Sequence, residues 1–323
     1  MYLSKIWGGD HIPTLPGRDI EGLTKVGESW EISGVLGQVS VVCEGPLQGK
    51  SLQDLIERWG ADLLGHRVMA VHGSQFPLLF KLLSTAQDLS LQVHPNDQQA
   101  NRMVAPGALG KTEMWVVLQA DPGACLYNGF VEGYDGSDLE QRTREGRLME
   151  VIHRCDVQAG DVFYIPAGRV HTIGAGLLIA EIQQSSDTTY RIDDFGRLDE
   201  QGKPRALHLN EALQVMRCDG PGQCALPQPL EDLPGHLLAR GLYFECNRMA
   251  LQRGDSLERH HDGLDSPVVL MVLQGKAVLD HAGGQTVVRG IETLMLPAAE
   301  PSYRMLCKED MVWLEIYLPL SGV

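Results

Sequence analysis

The stretch Gly160-Asp-Val-Phe-Tyr-Ile-Pro166-Ala-Gly168-Arg-Val-His171 decides the fold. Val162 to Ile165 reads as a buried β-strand, a short apolar run bounded by turn signals. Pro166-Ala-Gly168 then reverses the chain, because proline fixes φ and glycine accepts φ > 0. A new strand starts at Val170, so His171 stands just past a rigid corner from which its imidazole can point inward. Alone, this is either an ordinary β-turn histidine or one wall of a polar site; its partners decide.

The spacing of Gly160, Pro166, Gly168 and His171 resembles the second half-motif of the cupin family of small β-barrels, whose final histidine is a metal ligand. Partners are found upstream. In Asp88–Asp97, Leu89, Leu91 and Val93 alternate with Ser90, Gln92 and His94, so Gln92 and His94 project to one side of a strand. An exposed polar face gives the same pattern. Lys111 and Glu113 share a face at the start of the apolar run Met114–Gln119, either as a surface ion pair or as inward groups. Lys81 sits inside the apolar strand Phe76–Ser84, where it either faces a wet pocket or an anion, or snorkels to the surface. Turned inward together, Gln92, His94, Glu113 and His171 form a mixed nitrogen and oxygen set suited to one Zn²⁺ per chain. Oxidative cupins typically use three histidines and one glutamate; Gln92 in place of a histidine favours a redox-inert Lewis acid.

A chain of 323 residues accommodates two domains or one large one. Seven cysteines without a C-x-x-C pair argue against a disulfide framework and for a reducing, cytoplasmic setting. No apolar run has signal-peptide or membrane-spanning length. A net charge of −15 disfavours nucleic acid and anionic membranes as partners. It also means that an anionic substrate requires a local cluster of lysine and arginine.

An internal repeat organises the chain. Val117-Leu-Gln-Ala resembles Val272-Leu-Gln-Gly, and each is followed by a Gly–strand–Pro-Ala element ending at Pro166-Ala or Pro297-Ala. Gln119 to Pro166 spans 47 residues and Gln274 to Pro297 spans 23. The surplus matches a helical insert over Tyr134–His153, opened by Ser137 with Glu140 as a capping box. The expected architecture is mainly β: two cupin-type jelly-roll β-barrels with short helical insertions. Residues 1–205 are expected to form the metal-binding barrel, with inserts near 51–71, 97–105 and 134–153. Residues 206–323 form a second, metal-free barrel preceded by a helix at Asn210–Arg217. Ser51 with Asp54 caps the first insert, whose Leu52, Leu55, Ile56, Trp59, Leu63 and Leu64 lie on one helical face.

The polar constellation is not repeated. Val268 stands where Glu113 would be and Ser302 where His171 would be, and without that carboxylate and closing histidine His260-His261 read as surface residues. Trp30 and Glu31 read as core or rim packing, with lining of the pocket as the alternative. Asp193 and Asp194 face opposite ways and read as a loop rather than a catalytic pair.

Gln-Val-His-Pro-Asn (92–96), Gly-Lys-Thr-Glu-Met-Trp (110–115), Phe-Lys-Leu-Leu-Ser (80–84), the Pro-Ala-Gly-Arg-Val-His run and Ser186-Asp-Thr-Thr-Tyr-Arg191 resemble type I mannose-6-phosphate isomerases of the short bacterial form. The resemblance covers essentially the whole chain and is most specific between residues 76 and 197. Ala175 departs from the general cupin motif, which often has asparagine there. The resemblance implies metal ligation by Gln92, His94, Glu113 and His171, and active-site roles for Lys81, Lys111, Asp187 and Arg191. It implies interconversion of mannose 6-phosphate and fructose 6-phosphate through an enediol, with a small sugar phosphate as substrate and a monomer or homodimer as the working form. Lys81, Lys111 and Arg191 would supply the local positive potential that the chain as a whole lacks. Asp187 is the first candidate for the base, then a metal-bound water, then Lys111 if its pKa is depressed. The alternatives are a non-catalytic sugar-phosphate-binding cupin and an oxidative metal cupin.

Overall fold

The computed structural model describes residues 1–18, 20, 22–199 and 201–320. The chain is mainly β, and no described helix is long and apolar enough to cross a membrane. It forms two compact units, Met1–Glu31 with Leu78–Ala225 and Ile32–Pro77 with Leu226–Val323.

The first unit pairs two antiparallel sheets. Six strands run in the order Tyr2–Gly9, Val26–Ser33, Leu78–Thr85, Leu177–Gln184, Glu113–Ala120, Val162–Ile165. Five run in the order Tyr190–Asp193, Leu91–Val93, His171–Ile173, Cys125–Phe130, Ile152–Asp156. Trp115, Val117, Phe163, Ile179, Leu126 and Ile173 fill one end of the space between the sheets. Leu91, Val93, Tyr190 and Ile192 instead bury the opposite face of their strands against Ala212 and Val215 of the helix Leu209–Val215. With period-2 alternation, that outward packing turns Gln92 and Arg191 the other way.

The second unit repeats this plan. The strands Glu245–Leu251, Met311–Tyr317, Val268–Gln274 and Thr293–Leu296 are neighbours in the same order as Leu78–Thr85, Leu177–Gln184, Glu113–Ala120 and Val162–Ile165. The smaller sheet, Ser256–Arg259, Tyr303–Cys307, Lys276–His281, Gly284–Arg289, matches likewise. Even the irregularities correspond. The register slips at Leu118, between the partners of Leu178 and Ile179, and at Leu273, between Val272 and Gln274.

Two sequence expectations change here. Residues 32–77 pack with the second unit rather than as an insert in the first, and residues 206–225 stay with the first. The reason is long-range hydrogen bonding: Ala298 N–H donates to Leu63 O at 3.0 Å, and Asp265 accepts from His66 and Arg67 N–H at 2.8 and 2.7 Å. The helical segment is also broken into Leu52–Trp59, Ala61–Leu64 and His66–His72, because Gly60 and Gly65 adopt φ of 49° and 92°. The Ser51–Asp54 capping box forms as expected. In the other insert the Ser137–Glu140 box does not form. Asp138 is the N-cap of Leu139–Glu145, and it accepts from Arg142 and Tyr134 instead of from the helix backbone.

His261 is not a surface residue. It is buried, with Nε2 3.2 Å from Glu315 Oε2, and the fully buried Glu315 also accepts two hydrogen bonds from Arg259 (3.1 and 2.6 Å) and one from Tyr303 Oη (2.6 Å). Tyr303 pairs with Arg259 across the strands as His171 pairs with Gln92, so a tyrosine takes the closing histidine's place, one residue beyond Ser302. Here an arginine–carboxylate pair fills the polar interior. His260, by contrast, is exposed, as expected. Replacing Arg259 by methionine strands a buried carboxylate, and denaturant unfolding is expected to show a loss of about 3 kcal/mol. A loss within 0.5 kcal/mol, a size typical of ordinary surface positions, would refute that role.

Candidate metal centre and sugar-phosphate site

Three strands deliver the site. Pro166–Gly168, with Gly168 at φ 87°, turns the chain so that His171 enters the next strand facing inward and fully buried. Asn96 caps the helix Asp97–Met103 and ends the strand that carries Gln92 and His94. Glu113 opens its strand with no exposure at all.

The side chains of His94, Glu113 and His171 converge, with ligand atoms all within 4.8 Å of one another. His94 Nδ1–H donates to Thr188 O and His171 Nδ1–H donates to Arg169 O, both at 2.9 Å. Each ring therefore presents a bare Nε2 lone pair inward. Those lone pairs face the Glu113 carboxylate at 3.6 and 3.3 Å, and the Gln92 amide lies 3.4 Å from His171 Nε2. An acceptor facing an acceptor is repulsive unless a cation lies near both: Lys111 Nζ serves His94 and Glu113, whereas among the described residues nothing cationic bridges His171 Nε2 and Glu113 Oε1. Neither Glu113 oxygen has a well-directed hydrogen bond, although Lys111 Nζ stands 2.6 Å from Oε2. A tetrahedral ion with bonds of about 2.1 Å holds its ligand atoms about 3.4 Å apart, which these separations match. The donor set fits a divalent metal.

Burial pushes the Glu113 carboxyl up to about 7, against the pull of Lys111. Burial holds the imidazoles of His94 and His171 well below their ordinary value, so both stay neutral and able to ligate. A proton must then leave Glu113 as an ion enters below about pH 7. The metal affinity of the stripped protein is expected to fall about tenfold per pH unit below that point. By the same linkage, the stripped fold gains stability from this group at low pH and loses it as pH rises through about 7. Calorimetric titrations with zinc between pH 5.5 and 8 check the first statement; an affinity flat across that range contradicts it.

Cations surround the set. Lys111 is buried and lies 3.1 Å from His94 Nε2. Burial favours its neutral form, but Glu113 and Glu181 outweigh this and raise its pKa. Lys81 is also buried, not snorkelling, with Nζ 3.1 Å from Glu181 Oε1 and 2.7 Å from Gln183 Oε1, and 5.0 Å from the centre of the Trp30 ring. Trp30 thus belongs to the wall of this pocket, while Glu31 is held by Arg18 and Ser29. Arg191 pairs with Gln92 across the strands; its Nη1 donates to Ala206 O at 2.8 Å and its buried Nε has no hydrogen-bond partner among the described residues. Asp187 is exposed in the loop that orients His94 through Thr188 O, its side chain in no ion pair among the described residues. Asp193 closes the strand, and Asp194 forms ion pairs with Arg197 and Arg205, so the acidic pair is structural.

Sequence reasoning missed Glu181. It lies in the strand Leu177–Gln184, opposite Lys81 on one side and Trp115 on the other, and accepts from both. Burial raises a carboxyl pKa, but Lys81 and Lys111 hold Glu181 at about 2. The available signal was a Glu and a Gln at alternate positions of an otherwise apolar strand.

Two inward histidines and one glutamate in a jelly-roll unit make a cupin-type site that could hold a metal ion. Comparison with known proteins narrows the class. Residues 2–124 match the family model described as "Phosphomannose isomerase type I, catalytic domain". The chain is 35% identical to a mannose-6-phosphate isomerase of Streptococcus mutans over 93% of its length and 91% of the relative's. It is 34% identical to mannose-6-phosphate isomerase ManA of Bacillus subtilis, over 85% and 84%. A crystal structure of the Bacillus subtilis mannose 6-phosphate isomerase superposes with a TM-score of 0.86 at 28% identity, covering 98% of this chain and 97% of that one. The chain belongs to the type I mannose-6-phosphate isomerase family, and it is an enzyme of that kind.

Proposed function

We propose that the chain is a zinc-dependent aldose–ketose isomerase, interconverting mannose 6-phosphate and fructose 6-phosphate by moving a proton between C1 and C2 through an enediol. The carrying observation is the convergence of His94 Nε2, the Glu113 carboxylate and His171 Nε2, with Lys111 beside them and Arg191 on the strand next to Gln92. Gln92 is the fourth proposed ligand: its amide is one rotation from placing Oε1 toward the others. When bound, the ion supplies Lewis-acid stabilisation of negative charge.

The remaining chemistry falls to the protein's own side chains. Proton abstraction next to a carbonyl builds negative charge on the enediolate oxygens. Fixed cations in a buried site stabilise such charge far better than water does. Arg191, with a planar guanidinium whose Nε has no hydrogen-bond partner among the described residues, is suited to bridging two oxygens of the sugar or its phosphate. Lys111, paired with Glu113, is placed to donate a hydrogen bond to the developing charge. Asp187 is the leading base, in the loop whose backbone touches His94 through Thr188 O. Lys81 is positioned for electrostatic support by Glu181. Seven free thiols suit a reducing cytoplasm, and the proposed working form is a monomer or homodimer.

A coupled assay for fructose 6-phosphate formed from mannose 6-phosphate tests the reading. Activity is expected to vanish with chelator, return with zinc, and proceed without oxygen. Turnover unaffected by complete metal removal would overturn the zinc assignment, and dependence on iron and oxygen would point to an oxidative cupin instead.

A further inference from the structure

Gln183 is completely buried and lies beside the metal centre, opposite Glu113 in the strand register and two residues from Glu181. Both ends of its amide are used. Oε1 accepts from Lys81 Nζ at 2.7 Å, closer than the 3.1 Å contact between that lysine and Glu181. Nε2 donates to Gln184 O at 2.8 Å and to Ser186 O at 2.6 Å. Ser186 Oγ in turn accepts from Thr188 N–H at 3.3 Å, and Thr188 O accepts from His94 Nδ1–H. One side chain therefore ties a buried ammonium to the loop that fixes a histidine of the metal centre.

The chemistry of this link is specific. A carboxylate could hold Lys81 but has no N–H for the two carbonyls, and an ammonium or guanidinium has no acceptor for the lysine. Only an amide serves both ends without adding charge to an interior that already holds Glu113 and Glu181. The neighbouring Gln184 reinforces the loop from the other side, accepting from Thr112 N–H at 2.9 Å and donating to Asp97 at 2.9 Å.

We infer that Gln183 is a positioning residue of the isomerase: it sets where Lys81 Nζ stands relative to the metal ligands by anchoring it to the loop that orients His94. The inference rests on the isomerase reading above. It acts on turnover rather than on binding, because a misplaced fixed charge weakens stabilisation of the developing charge more than it weakens contact with the substrate.

Kinetics of Gln183→Met in the wild-type and Lys81→Met backgrounds test it, with metal content and thermal unfolding measured on every variant. In the wild-type background, kcat is expected to drop at least tenfold while KM changes less than threefold, with one metal per chain retained. In the Lys81→Met background the same substitution is expected to cost less than threefold, since the group it positions is gone. Equal losses in both backgrounds, or no loss in either, would overturn the inference. Gln183→Glu guards against a folding defect: it keeps the acceptor for Lys81 and is expected to retain more kcat than Gln183→Met. Loss of the fold in both variants would assign Gln183 to structure alone and equally overturn it. Failure of the wild-type chain to isomerise mannose 6-phosphate would instead defeat the functional reading, a separate result.

Discussion

His171→Ala is expected to abolish isomerisation and to leave a folded, metal-poor protein. The imidazole is fully buried, its Nδ1 is committed to Arg169 O, and Nε2 faces Glu113 at 3.3 Å and the Gln92 amide at 3.4 Å. Removing it deletes one direct donor and opens a cavity beside Trp115, whose ring lies 5.3 Å from the histidine ring. Loss of a group that merely orients a ligand typically costs 10- to 100-fold in metal affinity, and loss of the ligand itself should exceed that, on the order of a hundredfold or more. Elemental analysis after dialysis reads the metal, and the coupled assay reads the activity. A variant that keeps one tightly held ion per chain would remove His171 from the centre.

The second large effect is expected from Arg191→Ala. Its guanidinium is half-buried on the inward face beside Gln92, with burial and the neighbouring Arg205 and Arg197 lowering its pKa, yet an arginine remains charged. Truncation removes one fixed positive charge from a buried site. Losing a single preorganised donor of this kind commonly costs about 10²-fold in kcat, so a drop of more than tenfold is the minimum expected. Metal content should not change, because Arg191 contacts none of the three converging ligand atoms. Wild-type turnover by this variant would take Arg191 out of the mechanism; loss of metal along with activity would make its role structural.

Much of the site was legible because strands have a short, rigid period. Gln92 with His94, and Lys111 with Glu113, lie two residues apart, so each pair shares a face whatever the distant packing. The Pro166–Gly168 corner is equally local. What escaped depends on contacts between residues far apart in sequence. Glu181 stands in an apolar strand, and nothing in its own segment reveals Lys81, 100 positions away, opposite it. His261 seemed to lack a carboxylate because Glu315 lies 54 residues downstream. Residues 32–77 were assigned to the wrong unit for the same reason: helical spacing reveals an apolar face but not what covers it. The breaks at Gly60 and Gly65 were hidden because a stripe of leucines continues across them, and only the backbone angles show that the axis does not.

The pairing of Lys81 with Glu181 and of Lys111 with Glu113 has a consequence for affinity. Two lysines and two glutamates cancel, leaving Arg191 as the uncompensated charge among these groups, in a molecule whose net charge of −15 repels anions from afar. A divalent ion would make the cavity strongly electropositive. Capture of a doubly negative ligand is thus conditional on loading, and a depleted enzyme should be poor at holding its substrate as well as slow to convert it.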